Sequence, residues 1–329
     1  MIEIITVKEI AERAGVGVGT ASRALTGRGY VASDKQRRVL EIAQEMGYDN
    51  PKKRRKYIEK PFQKMIGVVL PDISYPFYAS YLKYMEIELD MLGYRTMFCS
   101  SLGIAGRVSG MLNLLESGVL DGLVVSTDVT DEDIARMRKL PVVSYEALLG
   151  KDIPVIASDH VQGGRIAAEL LIKNGCRQVM ILGVKLSNET AAQRRLWTCR
   201  EELERAGVRT SVIEASSDFT SLVSVEEIVR KYMGIYSQAD GIFTEDLEAL
   251  CCVRTAQFNG KSIPQDLKIV GYDGSETALL STPEVTTIMQ NVQEIAHITV
   301  NVLMKRINKE AVEGEYLIPV TLRRGGTTL

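Results

Sequence analysis

The sequence predicts a small all-α head of three helices joined to a large α/β body of two doubly wound lobes. Within residues 1–50, capping residues and glycine breaks punctuate short amphipathic runs. From residue 65 onward, short β-branched runs alternate with amphipathic helical stretches, the pattern of a parallel sheet. A chain of 329 residues also exceeds what one ordinary core serves. Hydrophobic residues at 45% and charged residues at 25% make an ordinary globular balance and argue against disorder.

The same survey narrows the function class. No apolar run approaches the ~18 residues of a membrane span, so no membrane partner is expected. The stretch Met1–Thr6 lacks the basic flank, long apolar run and cleavage site of a signal peptide. Five cysteines (Cys99, Cys176, Cys199, Cys251, Cys252) form an odd set without CxxC spacing, so reduced, mostly buried thiols in the cytoplasm are expected. The two histidines, His160 and His297, are too far apart in sequence to suggest a metal site. No nucleophile–base–orienter set or phosphate loop appears, so neither a catalytic residue nor a cofactor is expected. The net charge of −2 conceals an asymmetry: residues 1–64 hold 14 Lys and Arg against 8 Asp and Glu, a balance of +6, which leaves −8 for the rest. A basic head on an acidic body points to a polyanion partner for the head alone.

The head reads residue by residue. Thr6 and Glu9 have the spacing of a capping box, and Val7, Ile10, Ala11 and Ala14 follow on one helical face until Gly15 allows a left-handed stop. A second helix of about Val18 to Leu25 turns Ala21, Ala24 and Leu25 inward and leaves Thr20, Ser22 and Arg23 outside, with Gly17 as a weak cap. After Gly27-Arg28-Gly29, Ser33 and Gln36 suggest another capping box, opening a helix through Met46 with Val39, Leu40, Ala43 and Met46 buried. Two helices around a glycine turn, with a third behind them, make a helix-turn-helix. The run Gly15-Val-Gly-Val-Gly19 superficially resembles a dinucleotide fingerprint. Thr20 stands where its third glycine belongs, however, and a capped helix precedes it instead of a strand. Residues 51–64 follow as a linker with the run Lys52, Lys53, Arg54, Arg55, Lys56, which suits phosphates.

In the body, strands are expected at Met65–Leu70, Arg95–Cys99, Leu123–Ser126, Val142–Tyr145, Val179–Leu182, Ser211–Glu214, Gly241–Thr244 and Lys268–Tyr272. Helices are expected at Ala79–Leu92, Gly163–Asn174, Ala191–Ala206 and Val225–Tyr236. Ligands of such folds bind beyond the carboxyl ends of the strands, in the crevice between lobes.

The head, from Thr6 to Val16, Thr20 to Gly27, Gly29 to Val31 and Leu40 to Tyr48, resembles the headpiece of the LacI/GalR family of bacterial repressors. The likeness continues through Gly67–Phe77, Leu120–Leu123, Gly163–Ala168, Arg195-Leu196, Val270–Asp273 and Pro283–Ile288. It implies a DNA-binding headpiece (1–50), a hinge (51–64) and a periplasmic-binding-protein-like effector domain (65–329). The N-lobe would comprise about 65–159 and 291–319, and the C-lobe about 160–290 and 320–329. Crossovers would fall near Ser158–Val161, Ile288–Asn291 and Pro319–Leu322. The resemblance puts Val18, Gly19 and Arg23 at base-reading positions in the major groove, with Arg23 paired to guanine or, alternatively, to a phosphate. Thr6, Thr20, Ser22, Arg28, Tyr48 and the basic run Lys52, Lys53, Arg54 and Arg55 would complete the DNA contacts, and Ile58 would wedge the minor groove unless the hinge is only a tether.

The implied partners are a pseudo-palindromic double-stranded operator, bound as a homodimer because one headpiece reads too few bases, and a small effector, a carbohydrate in kind. The implied effector pocket consists of Asp72, Tyr75, Phe77, Glu146, Arg195, Glu245 and Asp273. Each has a plainer reading: Asp72 as a helix cap, Tyr75 and Phe77 as packing aromatics, Asp273 as a loop acceptor, Arg195 as a structural ion pair. Relatives carry Asn-Asp where this chain has Glu245-Asp246, which alters the hydrogen bonding offered to a sugar.

Overall fold

The computed structural model describes residues 5–26, 31–46, 48, 64–184, 190–215 and 222–329. The chain divides into two compact units, Met1–Gln63 and Lys64–Leu329. In the first, α1 (Val7–Ala14), α2 (Val18–Thr26) and α3 (Ser33–Glu45) pack around Ile10, Ala11, Ala14, Ala21, Ala24, Leu25, Val39 and Ala43. The capping box at Thr6 is present in full: the Thr6 hydroxyl accepts from the Glu9 N–H, and the Glu9 carboxylate accepts from the Thr6 N–H at 2.6 Å. Gly15 ends α1 at φ 65°, where a Cβ would be strained. The Gly17 carbonyl accepts from Ala21, so glycine does open α2. The third helix opens one residue earlier than the box expected at Ser33 would place it. The Gln36 N–H already bonds the Ala32 carbonyl at 2.9 Å, which makes Ala32 the cap and places Ser33 inside the first turn.

The second unit holds two six-stranded sheets. The N-lobe sheet uses β1 (Met65–Leu70), β2 (Arg95–Ser100), β3 (Gly122–Val125), β4 (Val142–Tyr145), β5 (Val155–Ser158) and β11 (Glu315–Ile318), in the order β11-β5-β4-β3-β1-β2. The C-lobe sheet uses β6 (Gln178–Val184), β7 (Arg209–Ala215), β8 (Gly241–Phe243), β9 (Lys268–Asp273), β10 (Thr286–Met289) and β12 (Thr321–Arg323), in the order β12-β10-β9-β8-β6-β7. All pairings are parallel except β10 with β12. Four of these strands, β5, β10, β11 and β12, lie outside the expected runs. They are only three or four residues long, and of these β10, β11 and β12 mix polar and apolar residues without the β-branched apolar run that marked equally short strands such as β3.

The helices α4 (Pro76–Met91), α5 (Arg107–Glu116), α6 (Asp131–Met137) and α11 (Val292–Ile307) belong to the N-lobe; α7 (His160–Lys173), α8 (Gln193–Arg205), α9 (Leu222–Ile235) and α10 (Asp246–Phe258) belong to the C-lobe. The chain passes between lobes three times: after β5, after β10 and between β11 and β12. Two of these passages start a helix in the same way. Asp159 accepts from the Gln162 N–H at the head of α7, and Asn291 from the Glu294 N–H at the head of α11. The third is tied to the first, since the Asp159 N–H bonds the Ile318 carbonyl at 2.7 Å. Each lobe has its own apolar clusters on both faces of its sheet, so the cleft between them is walled by strand-end loops. None of the five cysteines is paired, and Cys176, Cys199 and Cys252 are buried. Among the described residues, no helix is long and apolar enough to cross a membrane.

Candidate functional site

On the head, burying Ala21, Ala24 and Leu25 turns the other side of α2 outward. Val18 is 51% exposed, Gly19 and Arg23 are exposed, and Thr20 and Ser22 are half-buried. Four of these five, Val18, Gly19, Ser22 and Arg23, fall on one side at helical spacing. Thr6 is exposed, but its hydroxyl is engaged in the cap of α1. Tyr48 packs half-buried against the head core, with its N–H on the Ala43 carbonyl. The expected contacts Arg28, Lys52, Lys53, Arg54, Arg55 and Ile58 lie outside the described residues.

In the body, a cleft of about 720 Å³ between the lobes is lined by all seven expected pocket residues: Asp72, Tyr75, Phe77, Glu146, Arg195, Glu245 and Asp273. Strand ends place them. Asp72 and Tyr75 follow β1, Glu146 follows β4, Glu245 follows β8, and Asp273 closes β9. Arg195 comes from α8, which approaches α7 so closely that a Cβ on Gly164 would lie 2.4 Å from the Arg195 carbonyl oxygen. That contact explains the Gly163-Gly164 pair, because a Cβ on Gly163 would strike the ring of Tyr272.

Arg195 is 8% exposed; its guanidinium ion-pairs with Glu245 and lies 4.4 Å from the centroid of the Tyr272 ring. Burial pulls its pKa down, but Glu245 and Asp273, with Tyr272 and Glu146 beyond them, outweigh burial and hold it above the ordinary arginine value. Glu146 and Asp273 are both non-glycine residues at positive φ, 65° and 108° respectively. Such strain persists only where surrounding bonds impose it. For Glu146 the restraint is His160, whose Nε2 lies 2.8 Å from both carboxylate oxygens. With that nitrogen donating, Nδ1 accepts from the Tyr272 hydroxyl at 2.8 Å. For Asp273 it is Gln290, whose amide donates to Oδ1 at 2.8 Å while its own carbonyl accepts from Ser158 at 2.7 Å. Burial, then the charge of Glu245, pushes the Asp273 carboxyl well above its ordinary range.

The plainer readings divide case by case. Asp72 does not cap α4, whose N-cap is Tyr75 without a side-chain bond. It accepts instead from the Ser74 N–H at 2.9 Å, in a turn at the cleft edge. Phe77 stacks with Tyr81 and Tyr145 in the N-lobe core and still reaches the cleft. Tyr75 packs against the core of the C-lobe, with its hydroxyl buried and without a hydrogen-bond partner among the described residues. Arg195 forms the ion pair and lines the cleft as well.

The Glu245-Asp246 pair splits in two. Glu245 faces Arg195, whereas buried Asp246 accepts from the Thr287 hydroxyl and from Ser275 beneath the strand ends. One turn on, Glu248 is 2% exposed with neither oxygen hydrogen-bonded to a partner side chain or backbone among the described residues, and burial, then the charge of Glu245, pushes its carboxyl up to about 8. His160, Gln290, Tyr78 and Tyr145 also line the cleft, and sequence reading did not single them out. For His160 and Gln290 the available signal was their place at the crossovers, where strand ends open on the cleft. Among the described residues, no cluster of His, Cys, Asp and Glu is arranged for a metal ion.

Comparison with known proteins agrees with this geometry. Residues 6–50 match the bacterial regulatory proteins of the lacI family, and residues 168–328 match the periplasmic binding protein-like domain. The sucrose operon repressor of Streptococcus mutans is 32% identical over 96% of this chain and 97% of its own length. The ribose operon repressor of Halalkalibacterium halodurans is 29% identical over 96% and 95%. A periplasmic binding protein/LacI transcriptional regulator from Alkaliphilus metalliredigens, solved with D-xylulofuranose, has a TM-score of 0.74 at 29% identity, over 81% of this chain and 100% of its own. The lac repressor dimer bound to operator, at 24% identity and a TM-score of 0.71 over 99% and 100%, shares the fold. With its head and body both matched and a relative similar along nearly the whole length, the chain belongs to the LacI family of bacterial regulatory proteins.

Proposed function

We propose that this regulator is a cytoplasmic homodimeric repressor that reads a pseudo-palindromic operator through Val18, Gly19 and Arg23, and releases or tightens it when a neutral or weakly cationic polyhydroxylated effector enters the cleft. The domain limits follow the same reading: a headpiece at 1–50, a hinge at 51–64, and an effector domain whose lobes exchange chain at the three crossovers. Relatives named for sucrose and ribose operons, and a similar structure holding D-xylulofuranose, support a carbohydrate.

The observation that carries the effector reading is the Arg195–Glu245 pair. The one guanidinium among the described lining residues is already neutralised, while Asp72, Glu146 and Asp273 remain around it. A phosphate dianion would meet carboxyl groups without a free cation, at a desolvation cost that one shared arginine does not offset. Carboxyl groups suit hydroxyls well, because each oxygen accepts from a hydroxyl. On α4, Ile87 and Met91 lie exposed one turn apart with Leu92 beside them, an apolar face that supports self-association.

The test is a melting-temperature screen of neutral sugars and polyols beside their phosphate esters. A binder at ~100 times its dissociation constant stabilises the body by about 2.7 kcal/mol. The reading is overturned if only the phosphate esters raise the melting temperature. On DNA, about 6 neutralised phosphates per half-site give a slope near −5 for log K against log salt. Arg23→Ala should cost about 1–3 kcal/mol at the operator and little on random DNA, whereas Lys53→Ala should weaken both alike.

A further inference from the structure

An aromatic side chain crosses from one lobe to the other. Tyr75 stands at the N-cap of α4 in the N-lobe, yet it packs against the C-lobe cluster that holds Leu182, Ala249, Cys252 and Val285. Among the described residues, no other N-lobe side chain joins that cluster. Phe77, two residues on, stays in its own lobe against Tyr81 and Tyr145. Between them Pro76 opens α4, where its ring fixes the backbone φ. The two rings therefore leave a stiff joint toward different lobes, and parting the lobes pulls Tyr75 from its seat.

The seat is acidic. The Tyr75 hydroxyl is buried without a hydrogen-bond partner among the described residues, and so are both carboxyl oxygens of Glu248 on α10. Burial, then the charge of Glu248, ahead of those of Glu245 and Asp72, pushes the phenol above its ordinary range, so it keeps its proton. From α8, Glu248 faces Arg195, which Glu245 already engages. On α10 itself stand Glu245, Asp246, Cys251 and Cys252. Across on α9, Glu226 occupies Arg230 at 2.6 Å and Arg254 at 3.7 Å. A carboxylate sealed among these groups gains no cation of its own, so the packed site holds the neutral acid. The same side chain in water ionises as an ordinary carboxyl does.

We propose that Tyr75 is a closure peg: seated in the C-lobe it seals Glu248 in its protonated form, and withdrawn it lets water reach the carboxyl, so that closing the lobes takes up a proton. Because the closed form binds the proton more tightly, a fall in pH favours closure and a rise favours opening. Between the ordinary carboxyl value of 4.5 and about 8, each pH unit changes the closed-to-open ratio by up to about tenfold. This linkage holds whichever effector enters the cleft.

The test uses the full chain, whose single tryptophan, Trp197 on α8, reports unfolding of the C-lobe by fluorescence. Urea unfolding is followed from about pH 5 to about pH 8 for the parent, Glu248→Gln, Tyr75→Ala and the double variant. Tyr75 is half-buried at the margin of its cluster, so Tyr75→Ala leaves both sheets packed. The folding constant of the parent, relative to Glu248→Gln, should fall about tenfold per pH unit. In the Tyr75→Ala background the same ratio should change less than about twofold over the whole range, because the carboxyl is already hydrated. An undiminished slope there would place the cause inside the C-lobe and overturn the peg. Closure itself is read by small-angle scattering of the folded chains at both ends of the range, at constant particle mass. The parent's radius of gyration should rise with pH, that of Glu248→Gln should stay at the compact value, and Tyr75→Ala should be expanded throughout. A parent whose radius ignores pH, or a Glu248→Gln chain that expands as the parent does, overturns the coupling.

Discussion

The two lobes repeat one strand order and present opposite walls to the cleft. Position by position, β11-β5-β4-β3-β1-β2 corresponds to β12-β10-β9-β8-β6-β7, with only the edge strand β12 reversed in direction relative to its counterpart β11. On the C-lobe side the strand-end residues are ionisable and interlocked: Glu245 with Arg195, Asp273 with Gln290, and Asp246 with Thr287 and Ser275. On the N-lobe side, Glu146 after β4 is held by His160 from the other lobe, Asp72 stays in a turn after β1, and the loop after β2 adds the apolar Leu102 and Ile104. One scaffold therefore supports two chemistries, because the sheet dictates where a loop ends and leaves its side chains unconstrained. The charged wall also carries the stability risk, since each buried ionisable group there depends on a partner from another element.

That contrast can be broken at several strengths. The largest effect is expected from Arg195→Ala, which strips the buried carboxyl groups of their one cation. Breaking such a pair should cost the body about 3–5 kcal/mol. Thermal unfolding checks this, and an unchanged melting temperature would mean that the C-lobe wall tolerates its acids unaided.

Next comes Glu248. Its carboxyl is raised from an ordinary 4.5 to about 8 by burial and, next, by the charge of Glu245. The folded chain therefore keeps a proton that the unfolded chain releases in this interval. Stability should be full below about pH 4.5 as far as this group is concerned, and decline as pH rises toward about 8. Glu248→Gln should flatten that decline and make the variant more stable than the parent at pH 8, by about 3 kcal/mol. Parallel stability–pH curves would show that Glu248 finds a partner in solution.

Smaller effects separate two helix glycines. Gly164→Ala places a Cβ against the Arg195 carbonyl, so α7 and α8 must part; it should cost about 1–3 kcal/mol and weaken ligand binding by displacing the guanidinium. On α5 of the N-lobe, a Cβ at Gly110 meets nothing within 4 Å, and Gly110→Ala should stabilise by about 0.5–1 kcal/mol with ligand affinity unchanged. Denaturant unfolding and ligand titration of the two variants check the difference in sign.

The sequence by itself determined what depends on near neighbours along the chain. The Thr6–Glu9 box, the stop at Gly15 and the opening of α2 at Gly17 are bonds spanning three or four residues, and each is found where the residue pattern puts it. The central strand β1 was legible for a related reason: it is an unbroken apolar run, buried or nearly so along its length. The Ser33 box misplaced the cap by one residue, because a serine suits the first turn nearly as well as the cap and the pattern alone does not choose. Bringing the seven cleft residues onto one cavity was implied by the family likeness, and the cavity now lines up with all of them.

Only the tertiary structure decided how those residues are used. Glu146 meets His160 14 residues on and, through it, Tyr272 a further 112 residues away; β11 pairs with β5 across an even longer separation. Nothing local encodes such partners, since they exist only once both sheets have closed. Burial is likewise a property of the packed chain. It separates Asp246, bonded and structural, from Glu248, buried with neither oxygen hydrogen-bonded, although both are acids on one helix. It also sets Glu245 on Arg195, so that the cation expected to await a ligand is already paired before one arrives.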